Sequence, residues 1–184
     1  MPFSFGGTDI DGLKVITRKS FGDERGYFTE LYKNSEFAKN GIGEKFEQEN
    51  LSFSRKGVIR GMHYQLPPHA QGKLVSVIRG KIMDVAIDIR SGSASFGRYF
   101  KIELSEENRK SLWIPCGFAH GFAAIEDSIV LYRTTSEFSP EDERGIIWND
   151  PGIGIEWPED DHIISQKDSG YPTLEVAGQK GDIF

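Results

Sequence analysis

The chain has 184 residues, enough for one compact domain with a substantial core and too few for two ordinary domains joined by a linker. Its 22 Lys and Arg against 28 Asp and Glu give a formal charge of -6, which argues against a surface built to neutralise a nucleic-acid backbone, so any bound phosphate has to be held locally. The N-terminal stretch lacks the charged start and apolar run of a secretory signal, no apolar run reaches membrane-spanning length, and Cys116 is the single cysteine; the expectation is a cytoplasmic protein with no membrane partner and no intrachain disulfide.

Along the chain, Asn34-Ser35 predicts a capped helical turn running through Phe37 to Lys39. Two β-branched, partly alternating runs follow, Lys73 to Arg79 (KLVSVIR) and Ile82 to Ile89 (IMDVAIDI), and Gly80-Lys81 between them suggests a tight hairpin. Ser105-Glu106-Glu107 has the look of a second short helix start, and Ile129 to Thr135 (IVLYRTT) is another strand. Trp148, Trp157 and the loop-forming Asn149-Asp150-Pro151-Gly152 mark an irregular aromatic segment expected to pack over a barrel. Scattered glycines between short apolar runs, with no repeat or linker, give an all-β antiparallel reading in which a jelly roll is the natural closure.

Two blocks carry chemistry. In Arg60-Gly61-Met62-His63-Tyr64-Gln65, extended backbone puts Gly61, His63 and Gln65 on one face, so the imidazole and the amide both point into a barrel if either does. Lys73 follows after a proline-bounded loop. In Pro115-Cys116-Gly117-Phe118-Ala119-His120, a Pro-x-Gly-x-x-His turn delivers a second histidine to the next strand. The ordinary role of either histidine is a hydrogen-bonded core residue; the alternative is an acid or base.

The second block resembles the second motif of the cupin superfamily, whose jelly-roll barrels commonly hold a metal through His-x-His, a carboxylate and a distal His. Here His63-Tyr64-Gln65 stands in place of His-x-His, and an amide is a poor substitute for imidazole toward Zn, Fe or Cu. No metal and no cofactor are therefore expected. A set of His63, His69 and His120 is the remaining metal alternative, although His69 after Pro67-Pro68 reads as an exposed loop residue.

Over almost its whole length the chain resembles the dTDP-4-dehydrorhamnose 3,5-epimerase family. The matching segments run in order: Asp23 to Glu30, Gln48-Glu49-Asn50, Arg60 to Gln65, Gln71 to Val75, Asp84 to Arg90, Pro115 to Phe122, Tyr132, Ser139-Pro140-Glu141, Trp148 to Pro151 and Ser165 to Asp168. The resemblance implies a cupin-type double-stranded β-helix with a few short helices, a single domain over residues 1–184, and a homodimer that exchanges N-terminal strands. It implies a dTDP-linked 4-keto-6-deoxy sugar as substrate, inverted at carbons 3 and 5 in dTDP-L-rhamnose biosynthesis. His63 becomes the base, Asp168 its paired carboxylate, Lys73 the cation beside the keto oxygen and Tyr132 the acid on the opposite face of the sugar. Arg25, Phe28, Glu30, Gln48, Asn50, Arg60, His120, Phe138, Glu143 and Lys167 match substrate-binding positions, with Arg25 and Arg60 suited to a diphosphate and Phe28 and Phe138 to the base. Phe138 stands where many members have Tyr, and Met62, Cys116 and Arg133 also depart from the usual residues. These changes leave open a single-centre epimerase; a metal-dependent cupin or a non-catalytic sugar-binding barrel are the readings outside the class.

Overall fold

The computed structural model describes residues 1–159 and 161–184. Its body is two facing β-sheets. The first has the order β1 (Phe3–Gly7), β2 (Lys14–Arg18), β10 (Lys110–Ile114), β7 (Lys73–Arg79), β12 (Ser128–Thr134), β5 (Gln48–Ser54). The second runs β13 (Glu143–Gly145), β6 (Val58–Gln65), β11 (Phe118–Ala124), β8 (Lys81–Asp88), β9 (Tyr99–Ser105), with β14 (Ile163–Ile164) added parallel to β6. A separate hairpin, β3 (Ser20–Asp23) with β4 (Gly26–Thr29), stands outside both. The helices are short: α1 (Asn34–Lys39), α2 (Gln166–Ser169) and α3 (Leu174–Lys180). This is the expected all-β jelly roll.

Alternation along the strands creates three apolar layers. Val75, Val77, Leu112 and Val130 from the first sheet meet Ile82, Ala86, Leu104, Phe118 and Phe122 from the second, filling the space between them. On the outer side of the first sheet, Phe37 of α1 is fully buried over Phe3, Ile16, Leu74 and Trp113, with edge-to-face rings at Phe3, Phe5 and Tyr32. The outer side of the second sheet, Met62, Tyr64, Val85 and Ile87, is covered by Ile146, Trp157 and Leu174 of the C-terminal segment. The aromatic tail therefore packs over the barrel, as its composition suggests, and the Trp157 indole donates to the Trp148 carbonyl at 2.8 Å.

Two local expectations are corrected. Residues 73–79 and 81–88 are strands, yet they do not form a hairpin: β7 pairs with β10 and β12, and β8 with β11 and β9. Gly80, at φ 78°, turns the chain from one sheet into the other where a Cβ would lie 2.2 Å from the Asp127 carbonyl oxygen. A two-residue glycine signal defines a sharp reversal, and only tertiary packing decides whether the strands on either side pair. Nor does Ser105-Glu106-Glu107 begin a helix. The Asn108 side chain accepts from the N–H groups of Ser105 and Lys110 and donates to the Glu103 carbonyl, which fixes a β9–β10 turn instead.

Candidate active site

Between the two sheets, β6 and β11 from one side and β7 and β12 from the other enclose a cavity of about 540 Å³, lined by Arg60, His63, Lys73, His120, Tyr132, Lys167 and Asp168 among others. A second cavity of about 280 Å³ shares His63, Lys73 and Tyr132 and extends past Gln48, Asn50, Gln65, Phe138 and Glu143. The three shared residues thus sit at the junction of a two-lobed cleft of the size small-molecule sites use.

The local backbone explains why His63 reaches the cleft. On β6, Met62 and Tyr64 turn into the outer apolar layer, leaving His63 and Gln65 to face inward, as the alternation requires. At Gly61 (φ 118°) a Cβ would stand 2.5 Å from the Gly121 Cα and 2.7 Å from the His120 carbonyl oxygen, so the close approach of β6 and β11 depends on two facing glycines.

The His63 Nε2–H donates to Asp168 Oδ1 at 2.8 Å. Asp168 is buried on α2, where its own N–H donates to the Ser165 hydroxyl at the helix N-cap, and its Oδ2 accepts from the Gly61 N–H at 3.3 Å. Burial pushes the Asp168 carboxyl up, but the His63 hydrogen bond and charge, with the Gly61 and Ser165 donors, outweigh it and hold the group below the usual carboxylate range. Asp168 is therefore a carboxylate that fixes the His63 tautomer. Nδ1 of His63 makes no hydrogen bond among the described residues, so it is the nitrogen available as a base.

Lys73 lies across the cleft, buried, with its ammonium donating to the His63 carbonyl at 3.0 Å. Desolvation lowers its pKa to about 8, against the raising influence of Asp84 and Glu143. Tyr132 belongs to the opposite sheet from His63; burial pushes its phenol up, with Arg60 working the other way, so it carries its proton at neutral pH. A base on one wall, a proton donor on the other and a desolvated cation between them is an arrangement for abstracting and returning a proton beside a carbonyl.

The other expected residues divide into two groups. Arg60, whose guanidinium donates to the Ser54 hydroxyl and the Phe53 carbonyl, lines the larger lobe with His120 and Lys167. Gln48 donates to Asn50 and accepts from the Phe138 N–H, and Glu143 pairs with Lys167, so these polar side chains form one rim of the smaller lobe. Arg25, Phe28 and Glu30 line neither lobe: Arg25 pairs with Asp23 in the solvent, and Phe28 is 64% exposed on the β3–β4 hairpin.

Gln65 occupies the position where metal-binding cupins carry a ligand, and its amide is fully used: it donates to the carbonyls of His69 and Glu137 and accepts from the Ser139 N–H. His69 pairs with Asp142 on the outer loop, and no group of three His, Cys, Asp or Glu is placed for a metal among the described residues, so His63, His69 and His120 do not converge. Sequence reasoning missed Asp84, which is fully buried and lies 2.8 Å from His120 Nε2. An acid in the middle of the apolar strand IMDVAIDI, without the nearby arginine that its second acid Asp88 has in Arg90, was the available signal. It also missed Tyr171, whose ring stands 5.7 Å from the His63 ring at 69°.

Fold and site together define a cupin-type barrel equipped for acid–base work on a carbonyl compound. The profile of the family described as dTDP-4-dehydrorhamnose 3,5-epimerase matches residues 7–176, and the chain belongs to that family. It is 47% identical over 176 residues to the dTDP-4-dehydrorhamnose 3,5-epimerase of Methanothermobacter thermautotrophicus, covering 94% of this chain and 95% of the relative. The crystal structure of the Sulfolobus tokodaii dTDP-4-dehydrorhamnose 3,5-epimerase superimposes with a TM-score of 0.90 at 50% identity, over 95% of this chain and 97% of that one. A Legionella pneumophila dTDP-6-deoxy-D-glucose-3,5-epimerase solved with dTDP-4-keto-L-rhamnose gives a TM-score of 0.93 at 41% identity, over 97% and 96%. No helix among the described residues is long and apolar enough to cross a membrane.

Proposed function

We propose that this protein inverts carbons 3 and 5 of dTDP-4-dehydro-6-deoxy-D-glucose, forming dTDP-4-dehydro-L-rhamnose for dTDP-L-rhamnose biosynthesis. The observation that carries the reading is the placement of the His63–Asp168 pair and Tyr132 on opposite walls, with the Lys73 ammonium between them. His63 Nδ1 removes the proton from the carbon next to the keto group; the electron pair moves onto the keto oxygen, where Lys73 stabilises the enolate, and Asp168 stabilises the imidazolium. Tyr132 then delivers a proton to the opposite face, inverting the centre. After each inversion the His63 imidazolium releases its proton to water and the Tyr132 phenolate takes one from water, which restores both groups for the second carbon and lets solvent deuterium enter the sugar. The electron pair returns from the enolate oxygen to carbon, so no oxidant or reductant is needed.

Arg60, Lys167 and Glu143 at the cleft rim bind the diphosphate and sugar, and Gln48, Asn50 and Phe138 face the nucleotide. Arg25, Phe28 and Glu30 contribute across a homodimer. Supporting this are the exposed Phe21, Tyr27 and Phe28 on the outlying hairpin and Leu51 and Phe53 on β5, the edge strand of the first sheet. Exchange of N-terminal strands brings each hairpin to the partner's cleft. The enzyme acts in the cytoplasm.

The test is proton NMR of the nucleotide sugar in deuterated water with wild type and His63→Ala. Deuterium entering at both carbons with wild type alone supports the double epimerase. Entry at one carbon points to a single-centre epimerase on a related 4-keto sugar, and no entry overturns proton-transfer catalysis.

A further inference from the structure

Beside the His63–Asp168 pair stands a side chain that lines neither lobe of the cleft. Tyr171 follows α2 by two residues, and its ring meets the His63 imidazole edge to face, centroids 5.7 Å apart. The ring has a made-to-measure seat. Gly145, which is the direct register partner of His63 on β13, carries no side chain, and a Cβ there would stand 2.6 Å from two carbons of the Tyr171 ring. The strand that flanks His63 therefore gives up its side chain where this ring enters.

The hydroxyl is not what holds the ring in place: Tyr171 Oη is buried beside the Lys167 ammonium, near Glu143, and makes no hydrogen bond of ordinary geometry. A buried phenol oxygen with so poorly aligned a partner contributes little, so the favourable part of the arrangement is the ring's packing. The ring does not itself line the larger lobe, whose lining includes its neighbours His63, Lys167 and Asp168. An imidazole tied at one nitrogen still rocks about that hydrogen bond unless its faces are packed. Here the packing partner is Tyr171.

We propose that Tyr171 is a positioning residue for the base: its ring, seated over Gly145, holds the His63 imidazole in the plane that keeps Nε2 on Asp168 and presents Nδ1 to the sugar. This deepens the epimerase reading and rests on His63 being its base. A shift of the order of 1 Å at a reacting group costs up to about a hundredfold in rate.

The experiment compares Tyr171→Phe and Tyr171→Leu in the full-length protein, by kcat and KM for the nucleotide sugar and by nitrogen-15 NMR of labelled histidine without substrate. The phenylalanine variant keeps kcat within about twofold, because the ring remains, whereas the leucine variant loses about ten- to a hundredfold in kcat with KM unchanged. In the leucine variant the His63 nitrogen signals move from a single tautomer, protonated at Nε2, toward an average of two. A leucine variant with wild-type kcat and an unmoved tautomer overturns the proposal, as does one that fails to fold, which would assign the ring to stability alone. The tautomer measurement needs no turnover, so it separates failure of this proposal from failure of the epimerase reading, which would appear as absent carbon-bound proton exchange in wild type.

Discussion

His63 and His120 are direct register partners on β6 and β11, and each imidazole is held through Nε2 at 2.8 Å by its own buried carboxylate, Asp168 for one and Asp84 for the other. Two strands thus bring a pair of His–carboxylate units side by side into the cleft. Asp168 reaches its histidine from a short helix and Asp84 from the neighbouring strand β8, so the two units respond to different mutations.

Asp168→Asn keeps the shape of the side chain and removes the charge that fixes the His63 tautomer. We expect the fold to persist and solvent deuterium exchange at the sugar carbons to slow by about 10²- to 10⁴-fold, the range general-base contributions span. Exchange rates by NMR check this; a loss below threefold would separate Asp168 from the base.

Lys73→Met separates stability from activity. The buried ammonium, with a pKa lowered to about 8, holds its proton less tightly than the same lysine in the unfolded chain. Between about 8 and the ordinary lysine range the unfolded chain binds more protons, so folding stability contributed by this group rises with pH across that window, and at neutral pH the charge costs up to about 3 kcal/mol. The methionine variant should melt higher than wild type at pH 7 while losing about 10²- to 10³-fold in kcat. Calorimetry paired with exchange kinetics measures both.

Asp84→Asn removes the larger of the two charges that raise the Lys73 pKa. Lys73 then loses its proton at lower pH, and the alkaline limb of the kcat profile, which reflects loss of the ammonium that stabilises the enolate, moves to lower pH. A pH–rate profile with an unmoved alkaline limb would detach Asp84 from Lys73.

Gly61→Ala places a methyl group 2.5 Å from the Gly121 Cα on backbone with φ 118°. Positive φ for alanine costs about 1–3 kcal/mol before the steric overlap is counted, so a marked fall in Tm is expected together with loss of exchange. Thermal unfolding followed by circular dichroism measures the first; a variant that melts like wild type would remove the close β6–β11 approach from the argument.

Leu51→Asp with Phe53→Asp puts charge on the edge strand β5, where both side chains are exposed in the single chain. Sedimentation should report a monomer in place of a dimer, with KM for the nucleotide sugar raised because Arg25, Phe28 and Glu30 no longer reach a partner's cleft. A doubly substituted chain that stays dimeric and retains its KM would refute this use of the edge.

By itself the sequence determined the strand-rich class, the short helix over Asn34–Lys39 and the facing of His63 with Gln65, because a period of two is a local property. The expected cap by Asn34-Ser35 is not made, since Lys33 holds the N-cap position without a side-chain bond and the Asn34 amide oxygen accepts from the Tyr32 hydroxyl. The sequence's ordered motifs also pointed to the family. Tertiary structure alone decided that Gly80 passes the chain between sheets rather than closing a hairpin, since strand partners far apart in sequence, Ser111 to Ser76 and Tyr132 to Val75, set where β7 lies. It alone revealed the use of Asp84 and Tyr171: a buried acid 36 positions from its histidine and a ring 108 positions from the base it packs meet only when distant segments pack. The same physics separates Arg25, Phe28 and Glu30 from the cleft within one chain, because an outlying two-stranded hairpin is placed by what it packs against and not by its own residues.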